Sequence, residues 1–410
     1  MVRVIIVLFI VVFIGGALEL YTYRGLKSKW NNYSKIYRNT LKSFFFSFLI
    51  LSAISMLVFF IFGGSFPKWI RNFFFGFVMI NLFVKIALGS VFFVDDLRRI
   101  FIRIRSRFRK TNKILAGEKI SRSDFLVRSA VVAAAIPAIS FPLGMVIGPY
   151  NYKIRREKIS FSKLPAAFRN LKIIQISDIH AGSFYDKEAV ENGINMLMVE
   201  KPDVVFFTGD LVNDSADEMD KYMDIFSKVK APMGVFSILG NHDYGDYRQW
   251  TSPEEKEKNL DRLKEIHAEL GWRLLLDEHI YLEKNQEKIA VIGVENWGAG
   301  FHQIGDLKKA NEGVDAPVKI LLSHDPTHWD EQVRKDFQDI DLTLSGHTHG
   351  AQMGIETHGF KWSPITLRYE KWAGLYQEGN QFLYVNRGYG FLGYPGRIGI
   401  WPEITVIELI

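Results

Sequence analysis

The sequence predicts a chain in two parts: an α-helical membrane region of about four spans over residues 1–150, then a layered α/β sandwich over residues 165–410. Two observations separate the parts. Residues 1–150 hold 21 Lys/Arg against 5 Asp/Glu, whereas 151–410 hold 30 against 40, and all 10 histidines follow residue 179. A third assigns them: the front carries apolar runs long enough to cross a bilayer, and the back alternates short β-branched runs with amphipathic helical ones. At 48% hydrophobic and 23% charged, the composition excludes a disordered chain. The absence of cysteine excludes a disulfide scaffold, a thiolate zinc site and thiol catalysis.

A bilayer core of about 30 Å takes about 20 apolar helical residues. Residues 4–23 qualify, with Glu19 as the one charge, and residues 43–67 are uncharged throughout. Residues 72–94 carry only Lys85, which must face other helices or snorkel. Residues 129–149 are uncharged but hold Pro137, Pro142 and Pro149, so they read as a fourth span or as a buried or interfacial segment, and in the second case the back domain is cytoplasmic. Short loops rich in Lys and Arg stay cytoplasmic. The segment 24–42 has six basic residues and no acid, 95–128 has eleven against four acids, and the link 67–71 has two. An integral membrane protein with its back domain on the extracytoplasmic side is the expectation. The basic run 98–113 is read either as this positive-inside signal or as a surface helix on anionic lipid headgroups. Its place between two spans argues against nucleic acid as a partner. Residues 121–126, S-R-S-D-F-L, resemble a twin-arginine export signal that retains one of its two arginines.

In the back domain, residues 171–177, 203–208, 234–239, 289–294, 318–323, 342–345, 382–386 and 404–409 read as strands. Residues 186–200, 215–228 and 253–270 read as helices. The polar segment 150–164, with the basic run 153–158, reads as the boundary between the parts.

Five of these strands end in residues that bind metals. They run into Asp178 and His180, Asp210, Asn241-His242-Asp243, His324, and His347 and His349. Ligands of α/β sheets collect beyond the carboxyl ends of strands. Residues at i and i+2 can both reach one centre where a strand runs out into a loop. One such histidine would be an ordinary surface residue, but five clusters at five strand ends describe one rim. His267, His279, His302, His328 and His358 have no such setting and are assigned to helix, loop or turn surfaces.

The motifs D-I-H, G-D-L-V-N, G-N-H-D, S-H-D-P and G-H-T-H-G occur in this order over residues 173–350 and resemble the calcineurin-like metallophosphoesterase family. With G-H-T-H-G-A-Q, the glycine-rich tail 386–409 is similar to its bacterial exported or membrane-associated subgroup, some of whose members act on lipid-linked phosphoesters. The resemblance implies a four-layer α/β/β/α fold and two divalent metal ions, Mn, Fe or Zn. By motif position, Asp178, His180, Asp210 and His349 would hold one and Asp210, Asn241, His324 and His347 the other, with Asp210 bridging. His242 would be the catalytic non-ligand histidine. Some members carry an aspartate three residues after the bridging one to orient it; here that position is Asn213, so its partner is Asn213, Asp214 or none. Asp243 would brace a loop or a ligand.

Arg387 and Arg397 lie in the tail; Arg387 is a candidate phosphate clamp, with a structural surface arginine as the other reading. Tyr244, Tyr247 and Trp250 either line a substrate groove or pack a loop. The expected function is hydrolysis of a phosphoester or pyrophosphate by metal-activated water, with the membrane tether favouring a lipid-linked substrate. The alternative is a membrane receptor or scaffold that uses the fold for binding, which the full ligand set argues against. The substrate and the oligomeric state are not specified by sequence.

Overall fold

The computed structural model of the chain describes residues 2–30, 33–62, 66, 68–108 and 122–410. It divides into two units, Met1–Leu143 and Gly144–Ile410. The first is built on helices α1 (Val2–Trp30), α2 (Lys35–Phe62), α3 (Lys68–Phe108) and α4 (Arg122–Val146), the last of which ends in the second unit. Among the described residues, three stretches are long and apolar enough to cross a membrane: Lys35–Val58, Phe73–Arg105 and Phe125–Val146. The span read at 4–23 is helical, but its side chains up to residue 12 lie outside the described residues, as do residues 63–65 and 67 of the span read at 43–67.

The segments 24–42 and 95–128 are not loops throughout. Helix α1 runs on to Trp30, α2 begins at Lys35 and α3 continues to Phe108. A helix satisfies its own backbone, and Arg, Lys and Leu are good helix formers, so nothing stops it where the apolar stretch ends. Residues 109–121 lie outside the described residues, with the end of the basic run and Ser121 of the export-like motif. Lys85 faces other helices: its ammonium lies 2.8 Å from Glu19 Oε1, with both side chains buried.

The second unit contains strands β1 (Lys153–Ile159), β2 (Lys172–Ile176), β3 (Val204–Thr208), β4 (Val235–Ile238), β5 (Arg273–Leu274), β6 (Glu278–Lys284), β7 (Glu287–Gly293), β8 (Lys319–Leu322), β9 (Leu342–Ser345), β10 (Ile355–Thr357), β11 (Phe360–Trp362), β12 (Gly374–Glu378), β13 (Gln381–Val385) and β14 (Glu403–Leu409). They form two six-stranded mixed sheets, in the orders β1-β14-β2-β3-β4-β5 and β12-β13-β9-β8-β7-β6, and a β10-β11 hairpin. The side-chain period of two sorts each strand between cores. Ile173, Val204, Phe206 and Ile238 meet Val291, Ile320, Leu322 and Leu344 of the other sheet in a central core. Ile174, Ile176, Val205 and Phe207 point outward to helices Lys187–Val199 and Pro253–Glu269. Ile292, Leu321 and Leu383 pack against Trp329 and Val333 on the far side. The result is the four-layer α/β/β/α sandwich, fixed by two sheets that each bury both faces.

Three readings are corrected here. The boundary segment 150–164 contains β1, which pairs in parallel with β14 at the sheet edge. An edge strand tolerates charge, and Arg155, Arg156 and Lys158 pair with Glu356, Glu200 and Glu408. The helix read at 215–228 is broken into Ala216–Met219 and Met223–Phe226. There the Glu218 carboxylate accepts the Gly182 and Asn213 N–H groups, a side-chain competition that a helical period does not register. Finally, His267 and His328 are buried, not on surfaces. His267 packs on Phe207 and Trp272, and His328 stacks on Trp297 and contacts Ser323 and Gln332.

Candidate metal centre

The carboxyl ends of β2, β3, β4, β8 and β9 open on one rim, and β13 adds the tail beside them. Two buried polar side chains tie the sheets together there. Gln175 Nε2 donates to Ser345 O (2.9 Å), and Asn386 Nδ2 donates to Thr405 Oγ1 (2.8 Å). Beyond the strand ends the backbone turns sharply. Asp178, His180, Asp210, His347 and His349 all have positive φ, between 48° and 70°. Such conformations cost about 1–3 kcal/mol each in non-glycine residues and persist only where the surroundings enforce them. Here the enforcement is a backbone ladder across the rim: Asp178 N–H to Gly209 O, His180 N–H to Asp210 O and Gly346 N–H to His324 O, at 2.9–3.1 Å. Gly209, at φ +92°, is required twice over, since a Cβ there would crowd the Gly240 backbone and the His324 ring.

Two groups of side chains converge. Asp178, His180 and His349 form one and Asp210, His324 and His347 the other, with the candidate ligand atoms of each within 4.8 Å of one another. His180 Nε2 lies 3.0 Å from His349 Nε2, and His349 Nε2 lies 3.3 Å from Asp178 Oδ1. Asp210 Oδ2 is 3.5 Å from His180 Nε2 and 3.1 Å from His324 Nε2, so one carboxylate oxygen touches both groups. Asn241 Oδ1 joins the second, 2.9 Å from His347 Nδ1. Burial alone would raise the Asp178 and Asp210 carboxyls, but the facing imidazoles outweigh it and hold both below the usual carboxylate range. Burial pushes His180 and His347 down, toward the neutral imidazole that a metal requires.

The cluster suits divalent cations on its own chemistry. His180 Nδ1 is buried without a hydrogen-bond partner, and His324 Nε2 faces the Asp210 carboxylate at 3.1 Å. Two imidazole nitrogens meet head-on beside carboxylates, and nitrogen and oxygen donors without thiolate suit Mn, Fe or Zn.

His242 stands beside the cluster, its ring 4.9 Å from that of His180. Its Nδ1 lies 2.7 Å from the main-chain carbonyl of Asn213. A carbonyl only accepts, so Nδ1 carries the proton and Nε2 is left to exchange one. The orienting group is thus a backbone oxygen, not the side chain at 213 or 214. Asp243 braces the turns: its carboxylate accepts the N–H groups of Gly240, Asp210, Leu211 and Val212 at 2.8–3.3 Å.

Arg387 does not line the rim. It is buried, with Nη1 2.5 Å from Glu403 and Nη2 2.7 Å from Glu356, and a phosphate would have to displace both carboxylates. Nor is it the surface arginine of the other reading. Arg397 is also buried and donates to the Gly388 and Gly390 carbonyls behind His349. Tyr247 lies at the site, ring to ring with His242 at 4.3 Å, while Tyr244 and Trp250 bond to Glu295 and Gly245 and hold loops.

Three residues of the site have no role assigned by the motifs. Asp325 Oδ2 is buried 3.5 Å from His347 Nε2, Tyr369 OH lies 2.8 Å from that nitrogen, and the Phe301 ring stands against His347 at 4.7 Å. Asp325 follows His324 directly and was within reach of a sequence argument. Tyr369 and Phe301 arrive from segments with no motif.

Residues 171–351 match the family described as Calcineurin-like phosphoesterase, and residues 2–149 the family described as Probable Calcineurin-like phosphoesterase, transmembrane domain. The chain therefore belongs to the calcineurin-like metallophosphoesterases, as a member with its own membrane domain. It is 29% identical over 301 residues to the uncharacterized metallophosphoesterase YkuE of Bacillus subtilis, covering 71% of this chain and 98% of the relative. It is 28% identical to the phosphodiesterase YaeI of Escherichia coli over 293 residues, 71% of this chain and 100% of that one. It is 28% identical over 378 residues to a transmembrane protein with metallophosphoesterase domain of Danio rerio, covering 88% and 78%.

Proposed function

We propose that this membrane-associated metallophosphoesterase is a dinuclear hydrolase of a phosphoester or pyrophosphate bond. Asp178, His180, Asp210 and His349 would hold one ion, and Asp210, Asn241, His324 and His347 the other. The observation that carries this reading is the placement of Asp210 Oδ2 within 3.5 Å of an imidazole from each group. Bound there, divalent metals supply Lewis acidity toward phosphate oxygens and a water acidified to serve as nucleophile. The chain does the rest. The N–H of His242 donates to Asp210 Oδ1 at 2.9 Å and fixes the bridging carboxylate. Protonated at both ring nitrogens, His242 gives its Nε2 proton to the departing oxygen and returns to the Nδ1–H imidazole, with the ring clamped between Asn213 O and Tyr247.

The full chain in detergent should hydrolyse a nitrophenyl phosphodiester, lose that activity to a chelator and regain it with Mn²⁺. Tight binding of phosphoesters without hydrolysis under any added metal would favour a receptor or scaffold instead.

The basic segments 24–42 and 95–128 argue that the second unit works on the extracytoplasmic side, and membrane tethering favours a lipid-linked substrate. Protease added to intact cells should digest residues beyond about 152 and leave those two segments protected. Protection of the second unit until the membrane is broken would place the enzyme on cytoplasmic phosphoesters.

A further inference from the structure

Between His349 and Tyr369, both at the metal cluster, the chain makes an excursion that no part of the catalytic reading uses. It begins after a run of left-handed residues (Gly350, Ala351 and Gln352, φ 50–57°), forms the β10-β11 hairpin, makes a short turn at Pro364–Leu367 and returns at Arg368. Hairpin register pairs Ile355 with Trp362, Glu356 with Lys361 and Thr357 with Phe360. Strand alternation then gives the hairpin two unlike faces. Glu356 and Lys361 face the domain: Glu356 pairs with Arg155 and Arg387, and Lys361 reaches the Ala373 carbonyl and Tyr376 OH. The other face is apolar and bare. Ile355 is 55% exposed, Phe360 57% and Trp362 48%, and Leu367, at the end of the turn that follows, is 93% exposed.

A water-facing hairpin would not place three large apolar side chains on one bare face. The segment 352–354 is locked to the loop 394–398: Ile398 N–H donates to Gln352 O, Gly354 N–H donates to Ile398 O, and the Gln352 amide bonds the Tyr394 and Gly396 carbonyls. That loop in turn grips the end of α4, which carries the membrane-length stretch Phe125–Val146. Arg397 N–H donates to Gly144 O at 3.0 Å, and a Cβ on Gly144 or Gly148 would collide with Arg397 or Ile398. The apolar face thus sits two hydrogen-bonded steps from Val146, where a stretch long enough to cross the bilayer ends. Val146 and Ile147 are themselves exposed.

We infer that the hairpin 355–362 and Leu367 form a membrane-interface seat, in which Ile355, Phe360, Trp362 and Leu367 enter the headgroup and acyl boundary of the bilayer that α4 crosses. Tryptophan and phenylalanine suit this depth, and the exposed Arg368 next to Leu367 meets headgroup phosphate. The Arg368 guanidinium also lies 5.6 Å from both the Phe301 and Tyr369 rings, which wall the His347 side of the cluster. The seat therefore brings the mouth of the site to the lipid surface. This rests on, and deepens, the reading of a lipid-linked substrate.

The chain has no cysteine, so Phe360→Cys, Leu367→Cys and Val199→Cys each give a single thiol for a bimane label. Val199 is exposed at the opposite end of the strands and serves as the control. In full-length protein reconstituted into phosphatidylethanolamine/phosphatidylglycerol vesicles, brominated acyl chains should quench labels at 360 and 367 and spare the label at 199. Quenching at 360 and 367 no greater than at 199 overturns the seat. In a second arm, Phe360→Ser, Trp362→Ser and Leu367→Ser are combined. Turnover of a soluble nitrophenyl phosphodiester should stay unchanged, while that of the nitrophenyl ester of a diacyl phosphatidic acid in vesicles falls about tenfold. Quenched labels with no loss on the lipid ester would keep the seat and remove the lipid-linked reading.

Discussion

Replacing Asp210 by Asn should take turnover below about 10⁻³ of the parent rate and release at least one metal ion per chain. The size of the effect follows from where the carboxylate sits. It is buried, its Oδ2 faces His180 and His324, and its Oδ1 accepts the His242 N–H. Asparagine keeps the shape but removes the charge that both cations would share in the proposed site. It also puts an amide donor toward imidazoles that should be facing a cation. Elemental analysis and nitrophenyl phosphodiester hydrolysis on one preparation check both effects. Full activity with two bound ions would remove Asp210 from the bridging role.

The second large effect is expected at His242, with the opposite metal behaviour. His242→Ala should lower turnover by roughly 10²–10⁴, the usual range for a general acid or base, while both ions stay bound. The geometry separates it from the ligands, because its Nδ1 is spent on Asn213 O and its ring lies beside the cluster. If Nε2 protonates the leaving oxygen, a substrate whose leaving group is already a stable anion should lose less. Equal loss for good and poor leaving groups would assign His242 to positioning instead. Loss of metal along with activity would make it a ligand.

What the sequence disclosed follows the range of the forces involved. Strands buried on both faces are short apolar runs, and β2, β3 and β9 stand out as such. The polar residues that end them mark the rim because an aspartate or histidine gains little by following an apolar strand unless something at the rim requires it. The edge strand β1 did not stand out, since K-I-R-R-E-K-I owes its conformation to pairing with β14 across the whole length of the domain. Arg387 misled for a related reason. An arginine in a glycine-rich segment has the chemistry of a phosphate clamp, and only the fold reveals Glu403 and Glu356 beside it. Asn213 misled differently, because its orienting oxygen belongs to the backbone, which every residue carries. The buried His267 and His328 were hidden by the same non-local packing, since Phe207 and Trp297 cover them from other segments.

The proposed dinuclear site needs two metals that share one carboxylate. Its most direct test is a titration of the metal-stripped full chain in detergent with Mn²⁺, following bound metal by elemental analysis and hydrolysis of the nitrophenyl phosphodiester in the same samples. Activity should rise with the second equivalent bound and level off at two ions per chain. Full activity at one ion per chain, or in the stripped protein, would contradict it.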